Sequence, residues 1–119
     1  MSEEPLRIEF RELGFDPAKY IYTYKGQPFT GVMFEGPSAT PKAVSEFVDG
    51  LRHGMSRVYF PDGKLHSEAR YEYGEVVGTD RTWYENGQLE EEITYTEVSK
   101  YVSTRRWSES GELVYVDNA

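Results

Sequence analysis

From residue 55 onward, polar and apolar residues alternate in short runs, and each run stops at a turn signal. Arg57, Tyr59, Leu65, Ala69 and Tyr71 share one parity, as do Arg81, Trp83, Leu89, Ile93 and Tyr95, and then Arg105, Trp107, Leu113 and Tyr115. A period of two predicts β-strands with one covered and one wet face. Pro61-Asp62-Gly63 and Glu85-Asn86-Gly87 divide the runs. Gly supplies the left-handed position that a tight hairpin needs, and Pro presets the turn before it. With those loops, Phe60 faces Lys64 and Tyr59 faces Leu65. An uninterrupted register then sets Arg57 opposite Ser67, Trp83 opposite Leu89 and Arg81 opposite Glu91. The even face, with His66, Glu68, Arg70, Glu72, Asp80, Glu90, Glu92 and Thr94, is the wet one.

The alternation repeats with a period of 24 residues. Residues 48–71 align with 72–95 without a gap, pairing Gly50/Gly74, Gly54/Gly78, Arg57/Arg81, Gly63/Gly87, Leu65/Leu89, Glu68/Glu92 and Tyr71/Tyr95. Residues 96–119 keep Arg105, Trp107, Glu109, Gly111 and Leu113 in phase, but carry Val98 and Val102 where the paired glycines stood. That is the wear expected of a terminal repeat. Upstream, Gly26 and Phe47 hold the phase, while Gly36-Pro-Ser-Ala-Thr-Pro41 reads as a loop. Leu6, Ile8 and Phe10 predict a strand, followed by a turn or short helical entry at Asp16-Pro17. The chain therefore reads as one all-β domain, 1–119: a cap (1–23), a divergent repeat (24–47), two full repeats (48–71 and 72–95) and a degenerate terminal repeat (96–119). The expected architecture is an antiparallel meander of hairpins forming one extended, twisted, open sheet, with about two strands per repeat.

Gly50-Leu-Arg-His-Gly54 followed by Tyr59-Phe-Pro-Asp-Gly63-Lys-Leu65 resembles the MORN-type repeat (membrane occupation and recognition nexus). Gly74-Glu-Val-Val-Gly78 and Trp83-Tyr-Glu-Asn-Gly87-Gln-Leu89 repeat the resemblance, and Tyr24-Lys-Gly-Gln-Pro-Phe-Thr-Gly31 is similar to the opening unit of bacterial MORN-repeat antitoxins. The resemblance spans roughly residues 20–115. It implies a small immunity protein that neutralises a toxin, often a nuclease or deaminase, by direct binding. The alternative is a generic MORN-type scaffold docking a cellular protein or a membrane lipid.

Composition narrows the partner. With 13 basic and 21 acidic side chains, the formal net charge is -8, which disfavours nucleic acid and anionic membranes and suits a basic protein. Aromatic residues make up 15% of the chain, too many for a disordered segment. The absence of cysteine removes disulfides and thiolate metal sites. Met1-Ser-Glu-Glu-Pro5 lacks the basic and apolar regions of a secretory leader, so the expected location is cytoplasmic.

No catalytic constellation, cofactor site or metal site is expected. His53 and His66 lack a nucleophile–base pattern and read as turn and surface residues. Within Glu90-Glu91-Glu92, neighbours alternate faces and no histidine joins them, so the run reads as a solvated strand. Two partner-binding surfaces remain open at this point. One is acidic: Glu68, Glu72, Glu90 and Glu92. The other is the Arg-x-aromatic series Arg57/Tyr59, Arg81/Trp83 and Arg105/Trp107, where each arginine either stacks beside its ring as a prop or serves a partner as an anchor.

Overall fold

The computed structural model describes residues 6–118. The segment read for a leader, Met1–Pro5, and the first part of the expected cap lie outside those residues. Twelve strands follow in order: β1 (Arg7–Glu9), β2 (Gly14–Asp16), β3 (Ile21–Tyr24), β4 (Gln27–Pro28), β5 (Gly31–Glu35), β6 (Ala43–Val48), β7 (Leu51–Tyr59), β8 (Leu65–Glu72), β9 (Glu75–Trp83), β10 (Leu89–Tyr95), β11 (Tyr101–Trp107) and β12 (Leu113–Asn118). One 3-10 turn, Phe10–Glu12, interrupts them. The expected all-β meander is present: β5 through β12 pair antiparallel with successive neighbours in one open sheet.

Two features were not legible in the repeat. β1 joins the sheet in parallel beside β5, making nine strands, and β2-β3-β4 form a separate small sheet. The alternation Leu6/Ile8/Phe10 yields only three strand residues. Ile8 is buried, while Leu6 and Phe10 remain exposed and Phe10 opens the 3-10 turn. The proline-bearing stretch 36–41 is a loop between β5 and β6, as expected.

The core lies between the two sheets. Ile8, Phe29, Met33 and Phe47 are buried together, with Leu13, Tyr22 and Tyr24 packed on them. Phe29 and Phe47 meet at 5.6 Å between ring centroids, and Tyr22 stands edge-on to Phe47 at 5.5 Å. The small sheet therefore covers the N-terminal half of one face of the large sheet. It is fastened there by a tight turn at Asp49-Gly50. Gly50 donates its N–H to Phe29 and accepts from Tyr22 N–H through its carbonyl.

Each repeat contributes two turns of different kinds. Asp49-Gly50 and Tyr73-Gly74 place two successive residues at positive φ, as in a two-residue hairpin. At the opposite ends of the strands, residues 60–64, 84–88 and 108–112 form wider turns, with Gly63, Gly87 and Gly111 left-handed and the N–H of Phe60, Tyr84 and Ser108 bonded across the loop mouth. In the last copy, Val98 replaces the turn glycine. The connection Thr96–Lys100 lengthens accordingly, and Ser99 takes the positive φ.

The register beyond the loops differs from expectation. Tyr59 faces Leu65 and Trp83 faces Leu89 as expected, but one residue then bulges out, so Val58 faces Ser67 and Arg57 faces Glu68. In the next copy the same bulge sets Arg81 opposite Glu92, not Glu91. His66, Glu90 and Val114, 24 residues apart, are the extra residues. A one-residue slip moves every following side chain to the other face. Glu68 and Glu92 therefore lie on the arginine face, and Ala69 and Tyr71 on the opposite one.

Candidate functional site

Correcting the register brings the two expected surfaces together. One residue from each strand of the large sheet lies in a single cross-strand row: Glu9, Phe34, Val44, Arg57, Glu68, Arg81, Glu92, Arg105 and Val116. At its centre the charges alternate. Arg57 Nε donates to Glu68 Oε2 at 3.1 Å, and Arg81 Nε donates to Glu92 Oε2 at 3.0 Å. Among the described residues, Arg57, Arg81 and Arg105 do not lie over rings. The rings under guanidinium groups belong instead to Arg7/Phe34, Arg52/Phe47, Arg52/Tyr71 and Arg106/Tyr115. The stacking expected of the Arg-x-aromatic series gives way to ion pairing, because a carboxylate stands directly opposite each of the first two arginines. Arg105 differs: the position equivalent to Glu68 and Glu92 is Val116.

The acidic set is sorted by the same geometry. Glu68 and Glu92 are spent on the row. Glu72 accepts from Arg70 at 2.8 Å on its own strand. Glu91, on the other face, accepts from Arg106 Nε at 2.6 Å, with the guanidinium also over Tyr115. Glu90 is the bulged residue and has no ion-pair partner among the described residues. It lines an open cleft of about 450 Å³ between adjacent hairpin loops, together with Glu85, Glu109, Asn86, His66, Phe60, Trp83 and Tyr84. Partial burial, then the charges of Glu90 and Glu109, push the Tyr84 phenol above its ordinary pKa. Those two carboxylates therefore project a negative field into the cleft.

Local chemistry builds this cleft. Asp62 and Asn86 each accept, through Oδ1, from the N–H two residues on, at 2.9 Å, the side-chain mimicry that favours Asp and Asn in turns. Adjacent loops are tied by Tyr84 Oη donating to the Trp107 carbonyl at 2.8 Å and Asn86 Nδ2 donating to the Glu109 carbonyl at 3.0 Å. His66 stacks on Phe60 at 4.4 Å and forms one wall. His53 lies within β7 and not in the turn expected of it, and its Nδ1 accepts from the N–H of Tyr73, in the adjacent two-residue turn, at 3.1 Å.

Of the residues expected from sequence to bind a partner, the cleft gathers Glu90 and Trp83, and His66, expected only at the surface, joins them. Tyr59 lies elsewhere, in an apolar groove with Phe60, Pro37 and Pro41, and Trp107 meets the neighbouring repeat through its carbonyl. Sequence reasoning missed Glu85 and Glu109, which occupy the same place one repeat apart, each two residues before a turn glycine.

Fold and repeat together define a β-meander repeat protein. Residues 52–73 and 77–97, just over a third of the chain, match the family model of the MORN repeat variant. No curated protein shows a significant match. One solved structure, a crystal structure of the GtfA/B complex bound to UDP and GlcNAc, aligns at 11% identity and a TM-score of 0.40. The alignment covers 99% of this chain and 27% of that one, a likeness too slight to bear on function.

Proposed function

We propose that this chain is a non-catalytic protein-binding module of MORN type whose partner is a basic protein, and that it acts as an immunity protein by occupying a cationic surface of a toxin. The observation that carries this reading is the cleft of Glu85, Glu90 and Glu109. These carboxylates have no ion-pair partner among the described residues, whereas Glu68, Glu72, Glu91 and Glu92 are already paired. Phe60, Trp83 and Tyr84 supply aromatic surface on which an arginine or lysine stem can lie. A field of -8 steers such a partner in and repels nucleic acid. The resemblance to MORN-repeat antitoxins adds the toxin to this chemistry. The second reading, a scaffold docking an anionic lipid, runs against the same charge.

The test is affinity capture from the native cytoplasm with the wild-type chain and with E85Q/E90Q/E109Q, alongside flotation with phosphoinositide vesicles. The substitutions leave the internal ion pairs intact, which reversal of Glu68 or Glu92 would not. Recovery of one basic protein, lost in the triple variant, supports the proposal. Equal recovery by both chains moves the interface away from the cleft, and vesicle binding without a protein partner favours the lipid scaffold.

A further inference from the structure

The two edges of the large sheet are unlike. β1 is three residues long, carries Arg7 and Glu9, and runs directly into the 3-10 turn, so little ladder is open beyond it. β12 has six residues and, among the described residues, pairs with β11 alone. Leu113, Val114, Tyr115 and Val116 are consecutive, and they are 53%, 63%, 47% and 46% exposed. An apolar edge whose one charge, Asp117, lies near its end is a template for another strand.

The repeat indicates which strand. Position 116 is glutamate in both earlier copies, Glu68 and Glu92, where it holds an arginine across the row. At the edge it is valine. That leaves Arg105 with Glu92 opposite it on β10 but no carboxylate on β12, and leaves β12 without a charge at the centre of its open edge. Ser108 N–H bonds across to the Glu112 carbonyl, and an antiparallel ladder alternates, so Arg106 and Thr104 face β12 through Tyr115 and Asp117. Val116 accordingly turns its own N–H and C=O to the open side.

We propose that β12 pairs antiparallel with β12 of a second copy, about a two-fold axis through Val116. The bulge at Val114 interrupts the outward ladder in registers centred nearer the loop, which favours this one. Val116 then exchanges both backbone hydrogen bonds with its own counterpart, Val114 lies opposite Asn118, and Tyr115 lies opposite Asp117. Asp117 is the one charged residue of β12, and in this register it does not meet its own copy. Its carboxylate is already held by Tyr101 Oη at 2.6 Å. A six-residue strand pair buries less than a standard interface of about 1,600 Å², so the dimer is weak and concentration-dependent. Each copy carries -8, so added salt strengthens the dimer by screening repulsion. Salt has the opposite effect on an acidic cleft binding a basic partner, and the two surfaces are separable.

Sedimentation equilibrium of the 119-residue chain tests this at low and moderate salt. The expected result is a mass rising from 13.8 kDa toward twice that value with concentration, with an apparent Kd several-fold tighter at the higher salt. V116E supplies a carboxylate opposite Arg105 on β12 and sets two glutamates face to face on the axis. It should melt no lower than wild type and stay monomeric throughout, while V116T, still β-branched and uncharged, should dimerise. E85Q/E90Q/E109Q should dimerise at least as well as wild type. A wild-type chain monomeric at every concentration and salt, or a folded V116E that dimerises as wild type does, overturns the proposal.

Discussion

Arg81 Nε stands 3.0 Å from Glu92 Oε2 on the neighbouring strand, the same contact that Arg57 makes with Glu68 one repeat earlier. The arginine side chains are 41% and 43% exposed and the glutamates 24% and 23%, so these pairs are partly shielded from water and salt. A double-mutant cycle with R81Q and E92Q should give a coupling of about 0.5–1 kcal/mol in urea denaturation. R105Q, which breaks no such bond, should change stability by less than about 0.5 kcal/mol. Equal costs at Arg81 and Arg105 would deny the row its energetic role.

Gly50 and Gly74 occupy the same place in successive repeats, with φ of 84° and 87°. A Cβ on Gly74 meets nothing closer than Leu51 at 3.5 Å, but on Gly50 it would come within 2.6 Å of Ile21 Cβ and 2.7 Å of the Tyr22 carbonyl. G74A should therefore cost about 1 kcal/mol, the backbone term alone. G50A should cost more than about 2 kcal/mol, because it also prises the small sheet away. Denaturant midpoints of the two variants check this. Equal losses would mean that the small sheet is not anchored at that turn.

Asp80 lies opposite Ile93, and its carboxyl pKa is raised, first by burial and then by the charge of Glu91. An acid whose pKa is higher folded than unfolded holds its proton longer in the native state. Stability therefore falls as pH rises from the ordinary aspartate range through the raised value. D80N removes that slope. It should stabilise the chain at pH 7 by roughly 0.5 kcal/mol, with the advantage shrinking toward zero near pH 3. Thermal melts across that range give the answer, and a D80N chain less stable than wild type at pH 7 would show that the carboxylate has a supporting partner.

Tyr84 bridges two hairpin loops through the Trp107 carbonyl. Y84F should cost about 1 kcal/mol and speed amide exchange in residues 108–112 more than in 60–64. Uniform acceleration across both loops would place the bridge outside the control of loop order.

The sequence made the meander legible because its turn glycines and alternating runs act locally. Gly63 and Gly87 adopt the left-handed conformation their turns require, and Tyr59/Leu65 and Trp83/Leu89 pair as the loops dictate. The bulges at His66 and Glu90 were not legible. No residue type demands a bulge there, and one extra residue was enough to put Glu68 and Glu92 on the arginine face. The small sheet was hidden for another reason: β2, β3 and β4 are two to four residues long, below the length at which alternation shows. The cleft was only partly visible, since Glu85 and Glu109 become neighbours through strand pairing and their spacing of 24 in the chain gave no sign of it.

The central claim is that the loop-end cleft receives a basic protein. Hydrogen exchange of the chain alone and bound to its captured partner tests it most directly. A basic partner seated in the cleft should slow exchange chiefly in residues 60–66, 84–90 and 108–112, with little change in the small sheet, β2 to β4. Protection confined to the small sheet or to the two-residue turns at 49–50 and 73–74, with the loop-end segments unchanged, would contradict it.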